Sequence, residues 1–556
     1  MKSIYKYLMS ITAMLVFLAS CDTLELDDTQ DPNALSPEDA SADFFINSIQ
    51  QDFGVLIASL EIESSEAARI LNMDGLQYQN AFEPTRFDSE WIDAYQQILL
   101  DIRTMEPIAA EAEQWYHIGM GQVLEAYVIM TMVDFFGDVP YSEALQGADN
   151  LNPQLDAGSA VYAAALDLLN QAVDNFNRTP LSTPPTDLFY NGNFANWRKA
   201  ANSLKMRLYV VTRNVDSNAA TEFNALVAEG DYIDEVSEDF QFPWGTSNTN
   251  PDTRHPQYVD DYTPGGANTY QSNWMMDYMQ SSKVGNGIAV FEAADPRMKY
   301  YFYRQSAFVP QNNPNLINCV AETAPPHYIS AGAVFCSLDN GYWGRDHGDE
   351  DGIPPDGQLR TAYGVYPVGG LFDDDTYNVI ASNVLGAGGA GITPVMLSSW
   401  TDFMIAEMAL VAGNNSAARS ALLSAVSKSF TKVRAFGSRD QTADLSTAPP
   451  ASLDAAYAEE LGLMFDAADA GGKMDLIGAE YFVASFGNGL DPRVFYIRTG
   501  RPSILQPNLD PLPGPFFRSF FYPPNLAGRN SNVSQKSNAE LEIGPFWDTG
   551  VTLLAN

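Results

Sequence analysis

The stretch that most constrains this chain runs from Glu111 to Phe136, EAEQWYHIGMGQVLEAYVIMTMVDFF. From Val123 onward its apolar side chains fall on nearly every face of a helix, and a helix that is apolar all round is buried. Glu125 and Asp134 interrupt the run, which argues against a membrane span. Gly137 supplies a left-handed stop, and Pro140 lies shortly beyond it. The rest of the chain therefore has to enclose a central helix. It has the material to do so: 556 residues, 46% hydrophobic and 12% aromatic, a composition far from that of a disordered chain.

The flanking segments read as helices that pack on such a core. Ser159 to Asn177 places Leu168, Leu169, Val173 and Phe176 inward, with Ser159 as the cap. In Asn196 to Asn214, Trp197, Ala201, Leu204, Leu208 and Val211 form one stripe, and Lys199, Lys205, Arg207 and Arg213 lie largely off it. Further helices are expected at Leu397–Ala412, Ser416–Phe430 and Ser452–Ala468, the first two joined by a turn at Gly413-Asn414-Asn415. The tail from Asp491 reads as loop. Residues 240–396 differ, being rich in Gly, Pro, Asn, Asp and aromatics. Short helices are expected there at Asn268–Met279 and Glu292–Phe302, the second breaking at Asp295-Pro296. The predicted fold is mainly α: tetratricopeptide-like helix hairpins packed against a loop-rich subregion with few short strands.

The N-terminus reads as an export signal, with Lys2 and Lys6 ahead of an apolar run from Leu8 to Leu18. That run is short of the roughly 20 residues a bilayer span requires. It ends Leu18-Ala19-Ser20-Cys21, which resembles a bacterial lipobox. In that pattern Cys21 receives diacylglycerol and an N-acyl chain, and several acyl chains anchor firmly. Residues 1–20 are then a lipoprotein signal peptide, 21–40 an acidic tether, and 41–556 a single domain. The net charge of −40, from 30 Lys and Arg against 70 Asp and Glu, repels phosphate backbones and excludes nucleic-acid binding. Of three cysteines, Cys319 and Cys336 are the expected disulfide of an exported protein.

Several motifs invite chemistry, and each has a plainer reading. Gly386, Gly388 and Gly391 match G-x-G-x-x-G, but Pro394 follows where a dinucleotide site needs a helix N-terminus. The stretch Gly341 to Asp375 holds one of the four histidines, His347, and a run of acids. In an EF-hand frame its first position is His347 and its twelfth Gln358, so that frame fails. An oxygen site for Ca²⁺ from Asp346, Asp349, Asp351 and Asp356 stays open beside a turn-rich solvated loop; no other cofactor is implied. There is no G-x-S-x-G and no H-E-x-x-H. The 70 acids leave a carboxylate pair, and with it a lipid-anchored glycoside hydrolase, as the alternative function. For capture of an oligomeric ligand, the loop aromatics Tyr270, Trp274, Trp343, Tyr363 and Tyr366 are the candidates, since aromatic rings bury much area and, in Tyr and Trp, keep a polar handle.

Several phrases, in order, resemble the SusD/RagB family of outer-membrane nutrient-binding lipoproteins, in particular its SusD-like second branch. They are the lipobox at Cys21, DFFGDVPYSEAL (Asp134–Leu145), NWRKAANSLKMRLYVVTRN, DPRMKYYF (Asp295–Phe302), GIPPD, YGVYPVGGLFD (Tyr363–Asp373), RTGRP (Arg498–Pro502) and YPPNLAGRNSN (Tyr522–Asn532). The resemblance covers nearly the whole chain. It implies a helical, non-enzymatic protein, lipid-anchored in the outer membrane and exposed at the cell surface. Such a protein would act as a lid over a SusC-like TonB-dependent β-barrel transporter, to which it passes oligosaccharides or peptides.

Overall fold

The computed structural model describes residues 41–280, 294–307, 322–350 and 359–553. The signal segment, the tether and Cys21 lie outside them. Residues Ala42–Asn556 form one compact unit.

The helices used below are α1 (Ala42–Ala67), α2 (Leu100–Glu111), α3 (Trp115–Phe136), α4 (Gly158–Phe176), α5 (Phe194–Thr212), α6 (Ala219–Glu229), α7 (Asn273–Gln280), α8 (Ser398–Val411), α9 (Asn415–Arg434), α10 (Ser452–Ala467), α11 (Ala470–Ala484) and α12 (Leu490–Thr499). α2 continues a helical run from Asp88–Ile92 through a π-helical turn over Asp93–Leu99. α3 is the enclosed helix the composition demands. From His117 to Phe136 every residue is buried, and α1, α2, α4 and α5 pack around it. At its end Gly137 takes φ 78°, and its N–H bonds the carbonyl of Val133. α3 packs with α4, α4 with α5, and α5 with α6; beyond them α8 pairs with α9, and α11 and α10 join that layer. The Gly413 turn ends α8 with φ 78°, and the Asn414 side chain caps α9 by accepting from the Ala417 N–H.

Three expectations need correction. Ser159 does not cap α4: the helix begins at Gly158, whose N–H donates to Asp138 Oδ1 at 2.8 Å, so a distant carboxylate satisfies the first turn. Arg207 does not face water. It is 3% exposed, because two carboxylates from other helices meet it inside the core. The segment from Asp491 is not loop but α12, closed by Gly500 at φ 69°. Its residues from Leu490 to Arg498 are all buried, so the one-sided apolar stripe that marks a surface helix is absent.

The charged node at Arg207 ties these layers together. Its Nη2 lies 2.8 Å from Asp134 of α3, and its Nε lies 2.5 Å from Asp491 of α12. Asp134 also accepts from the indole of Trp547 at 2.9 Å and from the hydroxyl of Tyr162 on α4. Asp491 also accepts from Tyr481 of α11 at 3.2 Å. Buried charges persist only when paired and hydrogen-bonded, as these are. α1 approaches the start of α12 closely: a Cβ on Gly489 would lie 2.3 Å from the Ser65 amide nitrogen. At this contact burial pushes the Glu61 carboxyl up to about 7, against hydrogen bonds from Ser65 and the Gly489 backbone that favour its ionised form.

The loop-rich stretch is closed at its base. β1 (Phe240–Pro243) pairs antiparallel with β4 (Ile392–Met396), Phe240 opposite Met396 and Pro243 opposite Ile392. Inside it, β2 (Phe302–Tyr303) pairs antiparallel with β3 (Ala362–Tyr363), Phe302 opposite Tyr363. The G-x-G-x-x-G segment is a tight turn before β4. Gly386 and Gly388 are left-handed, and a Cβ on Gly391 would lie 2.3 Å from the Pro367 carbonyl oxygen.

Replacing Arg207 by Met leaves Asp134 and Asp491 buried without their cation. We expect a loss of about 3–5 kcal/mol in denaturant unfolding; a change within error would show that the node holds nothing together. For Glu61 the folded value, about 7, exceeds the ordinary 4.5, so the folded state holds a proton that the unfolded state releases. Its contribution to stability is greatest below pH 4.5 and is lost as pH rises toward about 7. Melting curves of Glu61→Gln, compared with the parent chain, should therefore fall less steeply across that window.

Candidate functional site

Four of the five aromatics singled out from the sequence, Trp274, Trp343, Tyr363 and Tyr366, are buried, and the fifth, Tyr270, is half-buried between two arginines. Trp274 on α7 is 5% exposed; its indole N–H donates to the Ile504 carbonyl at 2.8 Å and its ring stacks on Tyr278. Trp343 is buried with Cys336, Phe335 and Leu359. Tyr363 lies in β3, with its carbonyl accepting from the Tyr262 hydroxyl at 2.7 Å. Tyr366 stacks on Tyr301 at 5.3 Å and packs edge-on against Phe436 at 4.9 Å. Tyr270 is half-buried, and its ring is occupied by the guanidinium groups of Arg345 at 3.7 Å and Arg360 at 3.8 Å. The physical reason is the same for the four buried rings. A stretch poor in long helices still needs apolar volume, and its large rings supply it.

The acids of the 346–356 loop divide. Asp346 is buried, and its carboxylate is spent on protein donors. Oδ1 accepts from Asn273 and Gln506, both at 2.8 Å, and Oδ2 from the Cys336 N–H at 2.6 Å. Burial pushes its carboxyl up to about 6 against those bonds. It is a hub joining α7 to two loops, which corrects its expected role as a cation ligand. Asp349 is also buried, with its N–H on the Asp346 carbonyl at 3.0 Å. Asp351 and Asp356 lie outside the described residues. Among the described residues no group of three or more metal-ligating side chains exists. Cys336 is disulfide-bonded; Cys319 lies outside the described residues.

A different set of residues surrounds an open cleft of about 350 Å³ in the loop-rich half. Its walls come from the end of α7 (Gln280), the segment Asp295–Arg304, loops carrying Asn340, Tyr342, Asp375 and Pro449, and Leu453 in the first turn of α10. Arg304 organises it. Its Nε donates to Asp373 Oδ2 at 2.6 Å, Nη1 to the Asn340 carbonyl at 2.9 Å, and Nη2 to Asp375. The same guanidinium lies 4.9 Å from the ring centroid of Tyr342 and 5.0 Å from that of Tyr377. Lys299 Nζ reaches Asp375 Oδ2 at 2.5 Å and the Thr447 carbonyl at 3.2 Å.

Three non-glycine residues here adopt left-handed backbone: Asn340 at φ 64°, Asp375 at 63° and Tyr377 at 56°. Asn and Asp tolerate that region; a bulky ring does so only under constraint. Such strain gathers where loops are held for a purpose. Burial raises the Asp375 carboxyl, but hydrogen bonds and charge from Lys299 and Arg304 outweigh it and hold the group below the usual range. The cleft therefore offers fixed charges of both signs, an exposed amide at Asn340 and the Tyr342 phenol ring. Hydroxyl groups of a ligand can accept from the cations and donate to the carboxylate. The sequence gives no signal for this grouping: the backbone conformations are not legible in it, and Asp373 to Tyr377 looks like any acidic turn.

The family model described as starch-binding and associating with the outer membrane matches residues 37–316, just over half of the chain. No curated protein matches. Among solved structures, a SusD/RagB family protein from Bacteroides thetaiotaomicron is similar at 15% identity and TM-score 0.65, covering 92% of this chain and 100% of its own. A chitin-binding SusD homologue from Flavobacterium johnsoniae is similar at 17% identity and TM-score 0.59, covering 92% of this chain and 99% of its own. A Bacteroides vulgatus outer-membrane protein named for nutrient binding is similar at 16% identity and TM-score 0.57, covering 92% and 100%. At these identities the structures establish the mainly α fold.

Since Trp274 is a core residue, Trp274→Ala is expected to cost about 3–5 kcal/mol of stability, as large-to-small core changes do. A chemical melt checks this; an unchanged midpoint would return Trp274 to the surface.

Proposed function

Because the chain belongs to the SusD-like family, described as starch-binding and associating with the outer membrane, we propose that it is a cell-surface lipoprotein that captures a nutrient oligomer. An oligosaccharide is the favoured ligand and a peptide the second class. The protein would be anchored through lipid on Cys21 and would pass its ligand to a SusC-like TonB-dependent β-barrel. The observation that carries the ligand reading is the cleft around Arg304, where the Tyr342 ring of the wall, the Tyr377 ring packed behind it on the same guanidinium, paired charges and strained loops converge in the half of the molecule built from loops. Loops on a rigid scaffold are where binding residues concentrate.

The reading is of a binding protein and not a hydrolase. A retaining or inverting glycosidase needs one carboxylic acid kept protonated near neutral pH to donate to the leaving group. Asp375 is paired with two cations and held low instead. Asp295, the other acid of the cleft wall, is buried and paired with Arg297 at 2.6 Å. A peptide remains the second ligand class because the same paired charges would also meet its termini and polar side chains.

Tyr377→Ala should weaken oligosaccharide binding about tenfold, the equivalent of roughly 1.4 kcal/mol, with an unchanged melting curve. Calorimetry with maltoheptaose and chitohexaose on the full chain measures it. Wild-type affinity in that variant would remove the cleft from the proposal, and failure of the native protein to co-purify with a β-barrel from outer membranes would remove the transporter.

A further inference from the structure

A second cleft lies far from these loops in sequence, between α2, α3 and α4, and has a volume of about 480 Å³. That falls in the range of small-ligand sites. One side is apolar, from Pro107, Ala110 and Ile118, with the partly exposed indole of Trp115. The other is a set of amides and acids: Glu106, Gln122, Gln171, Asp174 and Asn175. Gln122 is 4% exposed and stands in α3, where the rest of the helix is almost wholly apolar. Its Oε1 accepts from Asn175 at 2.9 Å. Its Nε2 reaches Glu106 at 3.5 Å and Gln171 at 3.4 Å, both longer than a good amide hydrogen bond. A buried amide with its donors this loosely used is costly for folding alone.

The chemistry of the walls selects the occupant. An extended peptide is held by a free backbone ladder, and the helices here spend their N–H and C=O groups internally. An organic cation would seek the face of Trp115, but the guanidinium of Arg178 already lies 4.5 Å from that ring. An anion would meet Glu106 and Asp174. A neutral ring bearing hydroxyls suits what remains. Its C–H face can pack on Pro107, Ala110 and Ile118 beside the Trp115–Arg178 pair, and its hydroxyls can pair with amides that both donate and accept.

We propose that this helical cleft is a second binding site, for a neutral sugar ring or disaccharide, separate from the cleft around Arg304. It deepens the nutrient-binding reading and rests on it for the ligand class. The full chain labelled with 5-fluorotryptophan carries one fluorine at each of 8 tryptophans, and Trp115→Phe identifies the Trp115 line. Maltose and N,N′-diacetylchitobiose, added separately at millimolar concentrations, should move that line along a saturable curve with one of them. Gln171→Ala, a change at the exposed rim, should weaken the response about fivefold, one hydrogen bond's worth. A Trp115 line that stays still, or drifts linearly with both sugars, overturns the inference. Loss of oligosaccharide heat in Tyr377→Ala alongside a still Trp115 line would sink this site and leave the nutrient-binding reading standing. A saturably moving Trp115 line with unaltered heat in Tyr377→Ala would support this site and remove only the cleft around Arg304 from the nutrient-binding reading.

Discussion

The ion-pair node at Arg207 is the interaction on which the rest of the molecule depends. One guanidinium, wholly inside the core, satisfies carboxylates from α3 and α12, helices more than 350 residues apart in sequence. Through the second oxygens of those carboxylates it also reaches α4, α11 and Trp547 near the C-terminus. Desolvating three charges is expensive, and the expense is met only when every member is present in the right geometry. Early and late parts of the chain therefore settle together. A second buried set, Arg297 with Asp295 and Glu480, repeats the device between the loop-rich half and α11.

That shared frame explains how a stretch poor in long helices can present a defined cleft. Its ends are zipped by β1 and β4, and its interior is filled by its own large rings, Tyr301, Tyr363 and Tyr366 among them, packed with Phe486 from beyond α11. A base closed this way lets the loops at Asn340 and at Asp375–Tyr377 hold left-handed conformations that free loops would relax. Arg304 converts that rigidity into chemistry by bonding both loops while facing two rings.

Legibility followed the physics of burial. α3, α5, α8 and α9 could be read because an apolar stripe or an apolar run sits between clear stop signals such as Gly137 and Gly413. α12 could not: it carries Arg493 and Arg498 inward, and charged residues in a helix with no polar face look like loop. The aromatic candidates failed for a related cause. An aromatic ring in a Gly- and Pro-rich stretch is equally suited to a binding platform and to a core plug, and only the bond of the Trp274 indole to the Ile504 carbonyl or the packing of Phe436 against Tyr366 separates the two. The residues in and beside the cleft, Arg304, Lys299, Asp375 and Tyr377, carry no local pattern at all.

By itself the sequence determined the helical class, the enclosed helix, the change of character over residues 240–396 and, through ordered phrases, the family. These are properties of local periodicity, composition and order, which survive without knowing what touches what. Only the tertiary structure decided which charges face inward, which rings are core and which residues meet across a cleft. Those depend on pairings between segments tens to hundreds of residues apart, and on backbone angles that the residue types alone leave open.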